Sequence, residues 1–447
     1  MNKNIIVIPI EVKVREFLPK LYLACKIVTN TKFKVYFGGQ RFLTKKYSPS
    51  NCVVFDKFTY AESRSNAPFH LENRVIMQDE EGPVSYNHIS TVKKRYDIRQ
   101  KNFLDFFLFS GIKDLNLIKY LNLDKTKTKI FGLLKLELLR NKNRRFFKKE
   151  INEIKKNYKN FLFVPGHSSS YRSKNQTEFL YKEKKFQDVL SDYKNVKKNY
   201  YALLDICKKI AYSNPKLTVV FRRHPNEQED KLLEYLGKIP DNLKIIYKFS
   251  VTPWILACDY YLHAGCQTSL EAIMLKKKII TYMPYNVYGQ NNFKLTKPFF
   301  ANNINCLKFF LKDKSKRSMY KINNKVKNIA INLKEGVSYD KNFINFLNTS
   351  FNYKMFSELK ERKNLINNVL KKCIFKILSI IKSLLVKNDI YLSFIPKKYY
   401  ISKETKEKKF LSIEPHEIKN IIKNFNNIYK KKVRFKKYSD SSFMIYR

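Results

Sequence analysis

The stretch Leu217-Thr218-Val219-Val220-Phe221-Arg222-Arg223-His224-Pro225 joins an apolar, β-branched run to an abrupt cationic end. Such a run marks a strand buried on both faces, the condition of a parallel sheet covered by helices. Ligands of open α/β sheets sit just beyond the carboxyl ends of the strands, where Arg222, Arg223, His224 and Pro225 fall. Two guanidiniums and an imidazole at that place suit a phosphate-bearing ligand; the alternative is a plain basic exit from a strand.

The chain on either side repeats the alternation. Ile5–Ile10 is strand-like, Phe17–Val28 has helical spacing, and Phe33–Phe37 is strand-like and ends at Gly38-Gly39. Arg74–Met77 is a short strand ending at Gln78-Asp79-Glu80-Glu81-Gly82. A charged helical stretch over 141–159 leads to a new strand, Phe161–Val164, which runs into Pro165-Gly166-His167-Ser168-Ser169-Ser170. This second opening on a strand and a small polar loop places a domain boundary near residue 155. Helix Tyr200–Ala211 precedes the quoted strand; strand Leu243–Tyr247, helix Pro253–Ala257, strand Tyr260–His263, helix Ser269–Leu275 and strand Lys278–Tyr282 follow it. The pattern predicts an α/β protein with two Rossmann-like doubly wound domains facing a cleft, the GT-B arrangement, over residues 1–155 and 156–345.

Residues 346–447 read as a basic amphipathic extension. Its last 97 residues carry 24 Lys and Arg against 8 Asp and Glu, so the charge excess persists here. Leu365–Val386 has apolar residues at helical spacing with Lys371, Lys372, Lys376, Lys382 and Lys387 among them. Either this helix packs on the body, or it lies in the plane of an anionic membrane surface.

The formal net charge of +51 invites a nucleic-acid partner. Lysine is spread along the whole chain, however, and no RNP-type motif, zinc-finger spacing or arginine-rich arm accompanies it, so no nucleic acid is expected. An acidic partner is: an anionic lipid, a charged glycan or a nucleotide-activated donor. The seven cysteines are an odd number without C-x-x-C spacing, which speaks against a disulfide framework or zinc site and for a reducing compartment. Ile5–Ile10 is too short for a signal peptide, and no uncharged apolar run is long enough for a transmembrane helix. The expected location is cytoplasmic, with peripheral attachment to the inner membrane face through 365–387.

Two further motifs carry chemistry. In His263-Ala264-Gly265-Cys266-Gln267-Thr268-Ser269-Leu270-Glu271-Ala272 a strand meets a helix through a glycine turn. Thr268 or Ser269 is a suitable N-cap, helix-start N–H groups bind phosphate, and Glu271 stands where it can accept ribose hydroxyls. In Asp79-Glu80-Glu81-Gly82 three carboxylates crowd a strand end. A carboxylate with a raised pKa serves as general base toward a hydroxyl nucleophile; a solvated acidic turn is the plainer reading.

Taken together, the three motifs resemble those of bacterial GT-B transferases that use CMP-activated acidic sugars, the sialyltransferases and some Kdo transferases. That group has a D/E-D/E-G motif, an HP motif and a paired Ser/Thr motif. Here these are Glu80-Glu81-Gly82 (or Asp79-Glu80 with the glycine displaced), His224-Pro225 and Thr268-Ser269. More closely, the chain resembles the bacterial surface carbohydrate biosynthesis protein family. The matching segments are Ile8-Pro9-Ile10-Glu11-Val12-Lys13 with Arg15-Glu16, 79–82, Ser250-Val251-Thr252-Pro253-Trp254 and 263–272. Two departures stand out: 129–136 occupies the place of a Gly-Asn-Pro-Arg-like turn, and Gln267 the place of a usual Thr.

The resemblance implies a glycosyltransferase of surface polysaccharide, capsule or lipopolysaccharide, biosynthesis. Catalytic residues would be Glu80 or Glu81 as base from residues 1–155, and His224 at the leaving phosphate. Donor-binding residues would be Arg222, Arg223, Pro225, Gly265, Thr268, Ser269, Glu271, Gly166 and Ser168 from residues 156–345. It implies no metal and no cofactor beyond the nucleotide-sugar donor, a glycan or lipid-linked glycan acceptor, and inversion at the anomeric carbon. The competing expectations are a GT-B transferase using a UDP-sugar or CDP-glycerol-type donor, and a non-catalytic basic protein binding an anionic polymer.

Overall fold

A computed structural model of the chain describes residues 4–39, 43, 47–57, 73–80, 104–166, 187–224, 227, 229–285, 300–301, 305, 324–351, 357–361 and 412–447. Glu81, Gly82, Ser168, Pro225 and the helical stretch 365–387 lie outside those residues.

The first unit opens with β1 (Ile5–Ile10), α1 (Lys13–Asn30) and β2 (Lys34–Gly39). Strands β3 (Tyr47–Ser50), β4 (Val53–Asp56), β5 (Arg74–Gln78), β6 (Phe106–Phe109) and β7 (Thr128–Ile130) follow. Except for β3 they form one parallel sheet in the order β2-β1-β4-β5-β6-β7. The pleat sorts the side chains: Ile6, Ile8 and Ile10 join one core, Ile5 and Val7 the other. Both faces are therefore covered, which is why β1 reads as a continuous apolar run.

After β7 come α2 (Leu134–Glu137) and α3 (Lys148–Asn157). The second unit then runs through β8 (Phe161–Pro165), α4 (Gln187–Ser213), β9 (Thr218–Arg222), β10 (Leu243–Ile246), α5 (Val251–Ala257) and β11 (Tyr260–His263). It continues with α6 (Ser269–Met274), β12 (Lys278–Tyr282) and β13 (Phe300–Ala301). These six strands form a parallel sheet in the order β10-β9-β8-β11-β12-β13. Phe161 and Phe163 enter one core, Leu162 and Val164 the other. The chain is thus an α/β protein with two Rossmann-like sheets, as in GT-B folds.

The last part of the chain returns to the first unit. Helix α7 (Tyr339–Ser350) puts Tyr339, Phe343, Phe346 and Leu347 into its core. Strand β14 (Glu358–Glu361) pairs with β3, and α8 (Pro415–Tyr429) contributes Ile418, Ile422 and Phe425. The hairpin β15 (Arg434–Ser439) and β16 (Ser442–Tyr446) adds antiparallel to β2 and widens the first sheet to eight strands. The described end of the extension is therefore an integral edge of the first unit. At Gly38 this edge leaves no room for a side chain, since an added Cβ would strike the backbone of Ser441.

The crossover between units occupies 131–157. Leu134, Leu138, Phe146 and Phe147 face the first core, whereas Leu133, Leu136, Leu139 and Ile154 face the second. Glu137 is its polar anchor, 1% exposed: it accepts from Tyr339 N at 2.9 Å, Asn332 Nδ2 at 3.2 Å and Arg140 Nε at 2.8 Å. No helix among the described residues is long and apolar enough to cross a membrane.

Candidate active site

Each sheet has a topological switch point. In the first, β2 and β4 flank β1; in the second, β9 and β11 flank β8. Such points open a crevice at the carboxyl ends of the strands. Glu11, Lys57 and Glu80 follow β1, β4 and β5, while Gly166, Arg223 with His224, and Ala264 through Thr268 follow β8, β9 and β11. The two crevices meet: Gln267 Nε2 donates to the backbone carbonyl of Glu80 at 2.8 Å.

On the first sheet, Gln78 fixes the end of β5. Its Nε2 donates to Gly132 O at 2.7 Å, and its Oε1 accepts from Tyr339 Oη at 2.6 Å. Two residues on, Glu80 Oε1 is buried without a hydrogen-bond partner among the described residues. Burial pushes the Glu80 carboxyl above its ordinary range; Lys20 opposes that most, Glu16 adds to it, and Lys135 and Lys57 oppose it. Around it lie two ion pairs, Lys20 with Glu16 and Lys57 with Glu11, each at 2.8 Å. A desolvated carboxylate with spare acceptor capacity is what a general base requires.

On the second sheet the cationic end of β9 is more occupied than its sequence suggests. Arg222 Nη2 donates to Phe249 O at 2.5 Å, and Arg223 donates to Glu227 O at 3.2 Å and Glu229 Oε2 at 2.5 Å. Both guanidiniums lie beside the Tyr247 ring, 5.4 and 5.5 Å from its centroid. Each retains one buried Nε without a partner among the described residues. The arginines thus clamp the loops after β9 and β10 and keep limited donor capacity.

His224 is held through its backbone. Its N–H donates to Glu227 Oε2 at 2.6 Å, and its carbonyl accepts from Glu227 N at 2.9 Å. Glu227 is 1% exposed and packs against Gly166, where any Cβ would collide with its carboxylate. Gly166 N in turn bonds Arg222 O at 2.8 Å. The glycine after β8 is therefore a close-approach glycine beside the predicted histidine. Glu227 escaped the sequence reading; its signal was a carboxylate three residues past His224 in a tight turn.

The turn after β11 is ordered by His263, which is fully buried. Its Nδ1 accepts from Gly265 N and Cys266 N, both at 3.2 Å, so the proton resides on Nε2, which faces Thr281 Oγ1 at 3.0 Å. Gly265 takes φ +83°, the left-handed region that glycine enters without strain. Thr268 stands at the N-cap position of α6, but its hydroxyl makes no cap bond. It bonds Tyr261 Oη at 2.6 Å and Cys266 Sγ at 2.9 Å instead. The expected side-chain cap is not made because that hydroxyl is drawn inward. Ser269 Oγ is buried and unpartnered among the described residues.

Glu271 is also engaged. Its Oε2 accepts from Thr252 Oγ1 at 2.8 Å, and its Oε1 pairs with Lys135 at 3.4 Å. Thr252 belongs to Ser250-Val251-Thr252-Pro253-Trp254, whose Trp254 stacks on Phe163 with centroids 6.0 Å apart. That motif therefore positions Glu271 rather than lining the crevice by itself. Lys135, from the crossover helix, faces both Glu271 and Glu80.

No family model matches the chain, and no curated protein matches it. Solved structures do. A putative UDP-N-acetylglucosamine 2-epimerase from Listeria monocytogenes aligns with TM-score 0.51 and 10% identity over 79% of this chain and 98% of its own. S. aureus MnaA with UDP aligns with TM-score 0.50 and 12% identity, covering 78% and 97%. The wall teichoic acid polymerase TagF aligns with TM-score 0.50 and 11% identity, covering 79% and 90%. At these identities the likeness establishes the two-domain fold.

Proposed function

We propose that this protein is a glycosyltransferase of surface glycan biosynthesis that acts on a nucleotide-activated sugar, with a CMP-linked acidic sugar as donor. The observation that carries the reading is the Gln267–Glu80 contact, which sets a carboxylate with one buried oxygen, unpartnered among the described residues, against the glycine turn at the second switch point. The donor occupies the second sheet, its phosphate near His224 and the Thr268-Ser269 turn, with Arg222, Arg223, Gly166, Ser168 and Pro225 around it. Glu271 is the ribose-side residue. Glu80, or Glu81, takes the proton of the acceptor hydroxyl. The hydroxyl oxygen bonds to the anomeric carbon as the bond to the phosphate oxygen breaks, and that electron pair leaves with CMP. Inversion follows from a single displacement.

The sequence has no D-x-D motif, and cationic groups with a helix start supply the charge stabilisation that a metal would otherwise give. The acceptor is a glycan or lipid-linked glycan, reached at the inner membrane face with 365–387 as the anionic-surface contact. The direct test is turnover of a CMP-linked acidic sugar by the wild type and by Glu80→Gln and Glu81→Gln. Loss of transfer with retained CMP binding in one variant supports the reading; near-normal turnover in both refutes the base assignment.

A second reading has its own support. The likeness to MnaA bound to UDP favours a UDP-activated sugar as substrate in the same crevice, for transfer or epimerisation. Release of UDP, or epimerisation of a UDP-sugar, separates it from the first.

A further inference from the structure

Tyr261 and His263 stand two residues apart in β11, so the pleat puts both side chains on one face of the sheet. His263 pairs in register with Thr281 of β12, and both His263 and Thr281 are fully buried. A neutral imidazole has one N–H and one acceptor nitrogen, and the bond made by one nitrogen decides the role of the other. Here Nδ1 accepts from Gly265 N and Cys266 N, both at 3.2 Å. The proton is left on Nε2, 3.0 Å from Thr281 Oγ1. A proton on Nδ1 would instead face two N–H donors. The turn therefore requires the Nε2–H form, and the Thr281 hydroxyl is the acceptor that favours it.

We propose that Thr281 is a positioning residue for the nucleotide donor: by accepting from His263 Nε2–H it holds the imidazole in the form that shapes the turn at 264–268. This inference rests on the reading of that turn as a donor-binding element. Two backbone N–H groups bound to one ring nitrogen fix the path of Ala264, Gly265 and Cys266, with Gly265 at φ +83°. The chain then winds into α6, where Ser269 N bonds Cys266 O and Leu270 N bonds Gln267 O, each at 3.1 Å. Tyr261 Oη holds the other end of the turn through Thr268 Oγ1 at 2.6 Å. From the turn so fixed, Gln267 reaches the carbonyl of Glu80. Transfer of the proton from Nε2 to Nδ1 breaks both inner bonds at once. The N–H groups released then need new acceptors, which repacks the turn and with it this wall of the crevice. Packing alone would be served equally by a valine at 281; what the hydroxyl adds is the choice of tautomer.

The test reads tautomer and nucleotide separately. Two-bond ¹H–¹⁵N correlation spectra of protein labelled with ¹⁵N-histidine distinguish the two neutral forms. His263→Asn identifies the His263 signals, among those of six histidines, by their loss. Calorimetry measures binding of CMP and of UDP. The wild type shows the Nε2–H form. Thr281→Val keeps the shape without the hydroxyl; it populates the Nδ1–H form and weakens nucleotide binding about tenfold, the scale of a buried N–H left unpaired. Thr281→Ser restores both. His263→Asn keeps an acceptor at the place of Nδ1 and retains binding, whereas His263→Leu fills the space without one and loses it. Circular dichroism and urea melts verify that each variant is folded. Weaker binding in Thr281→Val with the tautomer unmoved, or a moved tautomer with unchanged binding, overturns the role of Thr281 and leaves the donor reading intact. So does binding in His263→Asn as poor as in His263→Leu. No binding of either nucleotide to the wild type overturns the donor reading and the proposal together.

Discussion

Gln267 and Glu80, 187 positions apart, are joined by one hydrogen bond from the Gln267 side-chain amide to the Glu80 backbone carbonyl, 2.8 Å long. The bond connects the turn after β11 to the end of β5 and so couples the proposed donor and acceptor walls. Gln267→Ala removes it. A net hydrogen bond of about 1 kcal/mol corresponds to roughly a fivefold loss, expected in kcat for transfer while nucleotide affinity measured by calorimetry stays unchanged. An equal loss of nucleotide affinity would show that Gln267 serves the donor itself.

Gly166→Ala drives a methyl group into the Glu227 carboxylate that anchors the His224 backbone. Overpacking of this kind costs about 1–3 kcal/mol. Chemical denaturation should register that cost, and nucleotide binding should weaken with it because the histidine loop is displaced. Unaltered nucleotide affinity would remove the Glu227–Gly166 contact from the account of the site.

Glu137→Ala strikes the crossover. It leaves Tyr339 N, Asn332 Nδ2 and Arg140 without their shared acceptor in a buried place. Breaking a buried charged network costs about 3–5 kcal/mol, to be read as a fall in denaturation midpoint.

Asp114 gives the protein a stability that depends on pH. Its Oδ2 accepts from Ser110 N at 2.9 Å and Gly111 N at 3.2 Å, and Oδ1 is buried without a partner among the described residues. Burial pushes its carboxyl up to about 7, against about 3.9 in an unfolded chain. Folding therefore takes up a proton between those values. The contribution of Asp114 is fully present below about pH 4 and is lost as pH rises through about 7. Asp114→Asn should flatten that segment of the stability curve and stabilise the protein at pH 8, by at most about 4 kcal/mol. Parallel curves for variant and wild type from pH 4 to 8, in urea melts, would contradict this.

How much of this was legible depends on what each residue touches. Strands β1, β8, β9, β11 and β12 were readable because helices cover both faces of a parallel sheet, leaving an apolar run in the sequence. The hairpin β15–β16 was not. Arg434, Lys436 and Lys437 stand exposed on its edge strand, and its partner β2 lies at the far end of the chain. Of the crossover, 141–159 was readable as a helical stretch, but 131–140 was hidden because its leucines divide between two cores, which blurs any single period. The candidate residues Glu80, His224, Gly166 and Gly265 could be singled out at strand ends because strand-end position and residue type coincide there. Glu137, Glu227 and Lys20 could not, because a buried charge and a solvated one look alike in sequence until the fold supplies its partners. The same blindness made Arg222, Arg223 and Glu271 look free, although loop carbonyls, Glu229, Thr252 and Lys135 already hold them.

The proposed function stands or falls on a nucleotide-sugar donor binding at the second switch point. It is tested most directly by thermal unfolding of the wild type and His224→Ala with CMP, UDP or CDP-glycerol. At a hundredfold excess over Kd a ligand adds about 2.7 kcal/mol of stability. The account predicts that CMP raises the melting temperature of the wild type and that His224→Ala loses this gain. A gain with UDP alone selects the second reading; no gain with any of the three contradicts the account.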